Sequence, residues 1–493
     1  MADDLTEQEQ VRREKLPKYE LLGVDPFGQK FVRSDTSATI KEKCLGKTHE
    51  ELDAAQVFVS IAGRLMAVRR MGKASFFNMQ DKFGTIQCYI KKDVVGDPTY
   101  ELFDLADLGD IVGVYGRVML THTGELTVRV EKYTHLVKAL RPLPDKFHGL
   151  VDVEERARRR YVDLIVNDEA RRIALLRPRI IRSIQNYLDG EGFVEFETSV
   201  LQPTLGGAAA RPFVTHHNTL DRDFYLRIAT ELPLKRLLVG GLERAYEIGR
   251  LFRNEGMDSK HNPEFTTVEA YQAYGDIVDM QNLAENLIRK AALDAVGTTL
   301  LPWGEKVIDV GAPFKKIHMV DLIKEVTGID FWVPMTFEEA EKIAKTHEIH
   351  LEKHENSVGY VINEFFEKYC EKTIVQPTFV FGHPLEISPL AKKSKDARFT
   401  ERFELFIDGS EYANAFTELN NPIDQQERFN SQLMAKALGD AEASEMDVDF
   451  VEALEYGMPP AGGIGIGIDR LVMLLTNTHS IREVILFPCM RDR

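Results

Sequence analysis

Between Val57 and Leu136 apolar and polar residues alternate in five short runs. They are VFVSIAGRLMAVRR (57–70), ASFFNMQD (74–81), GTIQCYIKK (84–92), DIVGVYGRVML (110–120) and LTVRVEKYTHL (126–136). β-branched and aromatic residues fill these runs, and Gly, Asp and Asn interrupt them, which predicts five strands. Five strands so closely spaced suit a small closed barrel of the OB type, a frequent holder of single-stranded nucleic acid. The alternation by itself fits any small β-barrel.

The period changes on both sides. Residues 1–50 read as a polar helical extension broken at Gly23, Pro26, Gly28 and Gly46. The barrel is expected over 51–139. A linker follows over 140–160, where LRPLPDKFHGL (140–150) carries two prolines and a glycine ahead of the basic run ERARRR. The remainder, 161–493, mixes helices and strands. IALLRPRIIRSIQNYLDGEGF (173–193) repeats its apolar residues at helical spacing up to Gly190–Gly192. Residues 318–372 read as mostly helical, and strands resume near Thr378. The fold class is therefore α+β, and no internal repeat is evident.

Composition narrows the picture. A chain of 493 residues, 44% hydrophobic and 28% charged, is an ordinary globular chain able to bury a large core. Cys44, Cys88, Cys370 and Cys489 form no CxxC pair, so they read as isolated thiols. No run of apolar residues is long enough to cross a membrane, and the polar N-terminus has no apolar leader core. A cytoplasmic protein without membrane partners is expected. The net charge of −16 excludes a chain coated by nucleic acid, because phosphates attract lysine and arginine. Local basic patches at Arg69, Arg70 and Lys73, and at Arg156–Arg160, remain compatible with it.

Three segments carry candidate chemistry. In GGIGIGIDRLVMLLTN (462–477), Gly463, Gly465 and Gly467 alternate with Ile464, Ile466 and Ile468. That is a strand with one apolar and one bare face, and a bare face suits the close approach of a ligand or of a packed helix. Neither a P-loop nor GxGxxG is present. In YEIGRLFRNEGMDSKHNPEFTTVEAYQAY (246–274), Arg253 and Glu255 share a strand face, as do Glu269 and Tyr271. The loop between them, GMDSKHNPEF, could offer phosphate donors beside an aromatic ring. The third segment is RFTERFELFIDGSEYANAFTEL (398–419), where Asp408-Gly409 signals a hairpin. With a two-residue turn Phe406 faces Glu411, and Glu404 and Glu411 lie diagonally on one face, where they could hold Mg²⁺. With a three-residue turn Glu411 moves to the other face. Asn414, Phe416 and Glu418 form a second alternating row. An exposed charged hairpin would also explain these acids.

Taken together, these blocks resemble a known family. RNEGMDSKHNPEF resembles motif 2 of the class II aminoacyl-tRNA synthetases, GGIGIGIDR resembles motif 3, and GFVEFETSVLQP (192–203) resembles motif 1. A β-barrel ahead of them resembles the aspartyl, asparaginyl and lysyl subgroup. GGAAARPF (206–213), ATELPLKRLL (229–238) and GHPLEISPLAKK (382–393) resemble its lysyl branch. The resemblance runs from about residue 15 to the end. It implies an OB-type barrel followed by a class II antiparallel β-sheet domain flanked by helices. Two positions depart from the family pattern: Lys260 stands where an arginine precedes the histidine, and Ala270 where an aromatic is usual.

The resemblance also implies roles. L-lysine, ATP and tRNA(Lys) would be the partners and Mg²⁺ the cofactor, with the chain acting as a homodimer through motif 1. Arg253 and Arg470 would be catalytic. Arg253 would bridge the substrate carboxylate and the α-phosphate. Phe265 and Arg470 would sandwich adenine, with Glu255, His261 and Asn262 completing the ATP site. Glu404 and Glu411 would hold the metal. Lysine would meet Gly207, Glu231, Arg253, Glu269, Tyr271, Asn414, Phe416, Glu418 and Gly465. Arg64, Phe76, Gln87 and Glu125 would contact the anticodon. An aspartyl or asparaginyl enzyme would want basic groups where this chain has Glu269, Tyr271 and Glu418. A non-catalytic paralogue would be expected to lack Arg253, Glu404, Glu411 or Arg470.

Overall fold

A computed structural model describes residues 5–28, 30–144, 150–440 and 446–492. The chain divides into two compact units, Met1–Leu150 and Val151–Arg493. The part of the expected linker at 145–149 lies outside the described residues.

In the first unit, strands β1 (Phe58–Met71), β2 (Ala74–Asp81), β3 (Gly84–Lys91), β4 (Ile111–Leu120) and β5 (Leu126–Val137) close into a barrel in the order β1-β2-β3-β5-β4. The alternation read from the sequence decides which side chains point inward. Phe77, Met79, Ile86, Cys88, Ile90, Val114 and Val128 are buried, while Phe76, Asn78, Gln87 and Tyr89 face outward from β2 and β3. The helical residues before the barrel are part of its core. Tyr19, Ile40, Cys44 and Leu52 are buried against the strands, so the helices Leu16–Leu21, Ser37–Cys44 and His49–Ala55 cannot be separated from it.

The second unit is built on one eight-stranded sheet. Its strands are β6 (Val194–Glu195), β7 (Arg244–Phe252), β8 (Glu264–Ala273), β9 (Lys315–His318), β10 (Thr378–Phe381), β11 (Arg402–Ile407), β12 (Ser410–Thr417) and β13 (Ala461–Gly467). They lie in the order β9-β10-β11-β12-β13-β8-β7-β6. The six central strands are antiparallel, and both edges differ: β9 pairs with β10, and β6 with β7, in parallel. Each of those edge strands is reached by a long connection rather than a hairpin, which permits parallel pairing.

One face of this sheet is apolar. Val268, Ala270, Phe403, Leu405, Ala413, Ala415, Ile464 and Ile466 are buried there beneath helices Asp168–Gly190, Ile277–Ala295 and Ile468–Thr476. The first of these helices buries Ile173, Leu176, Ile180, Ile184 and Leu188, spaced three or four residues apart. Asn167 caps its start by accepting from the backbone N–H of Glu169 and Ala170. Burying such a stripe outweighs the cost of about 3 kcal/mol for Pro178 inside the helix. Ala270, small where the family pattern has an aromatic, sits in this core opposite Ile464. The other face of the sheet carries the cleft. Cys44, Cys88 and Cys370 are buried free thiols and Cys489 is exposed.

Candidate active site

The cleft begins with the glycines of β13. Cross-strand partners put Thr267, Glu269 and Tyr271 of β8 opposite Gly467, Gly465 and Gly463. On the other side, Asn414 and Phe416 of β12 oppose Gly465 and Gly463. Ile464 and Ile466 point into the core, so the bare face forms the cleft floor. A side chain at Gly463 would fall on a Glu418 carboxylate oxygen and on the Tyr271 ring. This is why glycine is required there.

The hairpin β11–β12 turns on two residues. Asp408 and Gly409 have φ of 47° and 63°, and Ile407 pairs with Ser410, Phe406 with Glu411. A regular hairpin would then place Glu411 and Asn414 on opposite faces, since they are three residues apart. The register shifts between Leu405 and Phe406, so that Leu405 pairs with Ala413 and Glu404 with Asn414. The extra residue is Tyr412, which joins Ala413 in the core. The β-bulge therefore brings Asn414 and Phe416 onto the face that Glu404 and Glu411 already share.

Glu404 is held by Arg402, whose Nη2 donates to its Oε1 at 2.5 Å and whose Nε donates to Asn414 Oδ1 at 3.0 Å. Burial and then the neighbouring Glu404 carboxylate push the Glu411 carboxyl above its usual range. Glu371 behind them is pushed up to about 7 by burial and by the surrounding carboxylates Glu367, Glu404 and Glu411. Carboxylates that repel one another in this way fit a hard divalent cation, which takes oxygen ligands and shares its remaining positions with phosphates and water.

Arg253 leaves β7 with its guanidinium 5.2 Å from the Phe265 ring centre. Its Nε is buried and meets no acceptor among the described residues. An unpaired buried donor of this kind is poised for an anionic ligand. Arg470, on the helix following β13, donates to the Glu411 carbonyl at 2.5 Å and lies 3.2 Å from His261 Nε2. His261 Nδ1 is in turn 2.8 Å from Asp258 Oδ2. Asn262 is buried, and its Nδ2 donates to the Glu264 carbonyl at 2.6 Å, which shapes the loop. Lys260 reaches across to the hairpin turn, donating to Ser410 Oγ at 2.7 Å. Asp469 ties the helix to β8 by accepting from the Thr266 N–H at 2.7 Å and pairing with Arg177 at 2.5 Å. Glu255 is exposed on the cleft rim.

The far end of the cleft is acidic. Glu269 is buried, accepts from the Thr230 N–H at 3.1 Å and from the Tyr271 hydroxyl at 2.9 Å, and is pushed up to about 6 by burial and by Glu231 nearby. Gly207 has φ of 91°, and a Cβ there would lie 3.1 Å from the Ala229 side chain. Gly207, Glu231, Glu269, Tyr271, Asn414, Phe416 and Gly465 share this cavity with Arg253, Glu255, His261, Asn262, Phe265, Glu404, Glu411 and Arg470. Glu418 differs from all of them. It is 1% exposed, is not part of the cavity wall, and forms an ion pair with Lys235.

On the barrel, Phe76 and Tyr89 lie 4.8 Å apart, with the Arg69 guanidinium 5.5 Å from the Phe76 ring. Gln87 sits across from Asn78 and accepts from Thr127 Oγ1 at 2.8 Å. Glu125 is in the exposed β4–β5 turn. Arg64 pairs with Gln80 at the other end of β1, and its Nη1 donates to the Gly109 carbonyl at 2.7 Å. Phe76 and Gln87 thus share one outer face, which Tyr89 and Arg69 extend.

Sequence reading missed Arg402, Lys235, Asp469 and Tyr89. Arg402 and Tyr89 had a signal, since each stands two residues along its strand from a chosen residue and so shares its face. Lys235 and Asp469 act through contacts distant in sequence.

Residues 152–491 match the family model for class II tRNA synthetases (D, K and N), and residues 59–136 match that for the OB-fold nucleic acid binding domain. The chain is 58% identical to a lysine–tRNA ligase of Lactococcus lactis subsp. lactis over 490 residues, covering 99% of both chains. It is 57% identical to one of Enterococcus faecalis and 56% identical to one of Lysinibacillus sphaericus, each over 99% of this chain and 98% of the relative.

Proposed function

The chain belongs to the class II aminoacyl-tRNA synthetases of the aspartyl, asparaginyl and lysyl subgroup, within the lysine–tRNA ligases, and from this premise we propose how its cleft works. The enzyme activates L-lysine with ATP, releases pyrophosphate, and transfers the lysyl group to the 3′ end of tRNA. The observation that carries this reading is the polarity of one cavity. Arg253, with an unpaired buried donor, lies toward one end, and buried Glu269 with Tyr271 and Glu231 lies toward the other. An amino acid with a carboxylate and a distal ammonium fits that polarity.

Activation joins a carboxylate oxygen of lysine to the α-phosphorus of ATP and breaks the bond to pyrophosphate. The attacking group is already ionised, so no protein base is needed. The chain has to align two anions and offset their repulsion. Arg253 bridges the carboxylate and the α-phosphate. Arg470 and Phe265 hold the adenine between them, and His261 faces the phosphates. Glu404 and Glu411 would hold Mg²⁺, which when bound supplies positive charge against the phosphates and the leaving pyrophosphate. Glu231 takes the α-amino group, and Glu269, Tyr271 and Glu418 select the side-chain ammonium. Gly207 and Gly465 leave room for the substrate backbone, and Asn414 and Phe416 border its side chain. A terminal ribose hydroxyl then attacks the acyl carbonyl, and AMP departs.

Residues 51–139 serve as the anticodon-binding domain and residues 161–493 as the catalytic domain. Phe76 and Gln87 meet splayed anticodon bases on the outer barrel face, with Arg64 and Glu125 at its margins. The enzyme works in the cytoplasm as a homodimer. Exposed Val194, Val200 and Leu201 in and beside the sheet-edge strand β6 support an isologous contact there. Light scattering at micromolar concentration should give twice the chain mass, and an active monomer would overturn the dimer. Lysine-dependent ATP–pyrophosphate exchange, with aspartate and asparagine as controls, tests the reaction; exchange with either control in place of lysine would refute it.

A further inference from the structure

Lys235 is the one buried cation at the acidic end of the cleft among the described residues. It lies on helix Glu231–Val239 with its side chain fully buried. Its Nζ donates to Glu231 Oε1 at 2.5 Å and forms an ion pair with Glu418 Oε2. It also lies 5.1 Å from the Phe416 ring centre and 6.0 Å from that of Phe450. Neither Glu418 oxygen has another hydrogen-bond partner among the described residues, although both are buried. Lys235 therefore touches two carboxylates and an aromatic ring assigned to the substrate, without being part of the cavity wall.

We propose that Lys235 is a positioning residue for lysine selection: an internal counter-cation, fixed between Glu231 and Glu418, that sets the charge of the acidic end of the cleft. The inference rests on the reading that this cleft takes lysine. Glu231, Glu269 and Glu418 bring three carboxylates and Lys235 one ammonium. Ionised, the set carries two net negative charges, which match the two ammonium groups of free lysine. Arg253 is left for the substrate carboxylate. Among the described residues no other charge pairs with this set. Arg236 on the same helix turns to Asp447 and Asp449, β8 adds only Glu269 and Tyr271, the residue after β12 is Glu418, and β13 presents glycines. Without Lys235, three buried carboxylates would face one another, and one would take up a proton that lysine must displace.

That displaced proton gives the test a readout that lost packing does not move. Burial pushes Glu418 up to about 8, and Lys235 is the main group opposing the rise. Pyrophosphate exchange is measured on the full chain between about pH 6 and about pH 9 while lysine and ATP are varied separately. In the unsubstituted enzyme KM for lysine falls with rising pH and levels near 8. In Lys235→Met the levelling point moves up by about one pH unit or more, and KM for lysine near neutral pH rises about tenfold with it. KM for ATP stays within about twofold. Lys235→Arg keeps the charge, so its levelling point stays with the unsubstituted enzyme. It is also the informative variant if Lys235→Met does not fold. A levelling point unmoved in Lys235→Met, or moved in Lys235→Arg, would overturn the proposal. Absence of lysine exchange by the unsubstituted enzyme would instead overturn the substrate reading beneath it.

Discussion

Replacing Gly463 by alanine adds one methyl group at the most crowded point of the cleft floor. The new Cβ would lie 2.5 and 2.6 Å from Tyr271 ring carbons and closer still to Glu418 Oε1. None of the three can yield easily. β13 is paired on both sides, Tyr271 is 3% exposed and bonded to Glu269, and Glu418 is 1% exposed beside Lys235. Overpacking of this sort costs about 1–3 kcal/mol. The displaced groups are Tyr271 in the cavity wall and Glu418 behind it, both assigned to selecting the side-chain ammonium, so that cost falls on lysine binding. At about 1.4 kcal/mol per factor of ten, kcat/KM for lysine in pyrophosphate exchange should fall roughly 5- to 150-fold. The matched control is Gly467→Ala on the same bare face, whose Cβ would meet nothing closer than 3.9 Å. It should change kcat/KM for lysine by less than about threefold. If both variants behave alike, or if Gly463→Ala weakens ATP as much as lysine, the crowding argument is wrong.

Glu411→Gln should abolish lysyl-adenylate formation while the thermal melt stays near that of the unsubstituted chain; near-normal exchange would remove Glu411 from the metal site. Phe76→Ala should spare pyrophosphate exchange and weaken aminoacylation by the loss of one base stack, about 1–3 kcal/mol, mainly as tRNA binding; equal loss in both reactions would mean that Phe76 supports the fold. Glu269, raised from 4.5 to about 6, takes a proton as pH falls through 6, so the decline in kcat/KM for lysine that begins near 8 with Glu418 should steepen below about 6. The sign for stability is opposite, because a raised carboxyl binds its proton more tightly when folded and so favours folding as pH falls from about 6 toward 4.5. Lysine affinity should thus decline before circular dichroism detects unfolding, and simultaneous loss would count against Glu269.

Much of this was legible locally. Period-two alternation placed Phe77, Met79, Ile86 and Cys88 inside the barrel and Phe76 and Gln87 outside it. The alternation of Gly463, Gly465 and Gly467 with isoleucines gave a core face and a bare face, and the bare face is the cleft floor. The hairpin was legible only in part. Asp408-Gly409 announced the turn, but the bulge at Tyr412 depends on the register that neighbouring strands impose on β12. Lys235 was illegible for a related reason. Nothing in ATELPLKRLL marks it for burial, and only the chain leaving β12 brings Glu418 against it. Glu418 itself was expected in the cavity, and its pairing with Lys235 holds it behind the wall.

The strand order also bears on how the protein is made. β13 lies between β8 and β12, so the strand at the centre of the catalytic face is the last of the sheet to leave the ribosome. Until it arrives, the β7–β8 and β11–β12 ribbons each present an unpaired edge that β13 will later cover, the kind of edge that recruits neighbouring chains. The barrel unit is contiguous, ends by Leu150, and can be complete long before then. A nascent chain thus carries a finished barrel while its cleft has no floor. Chaperone demand during synthesis should therefore fall on the stretch between β8 and β13.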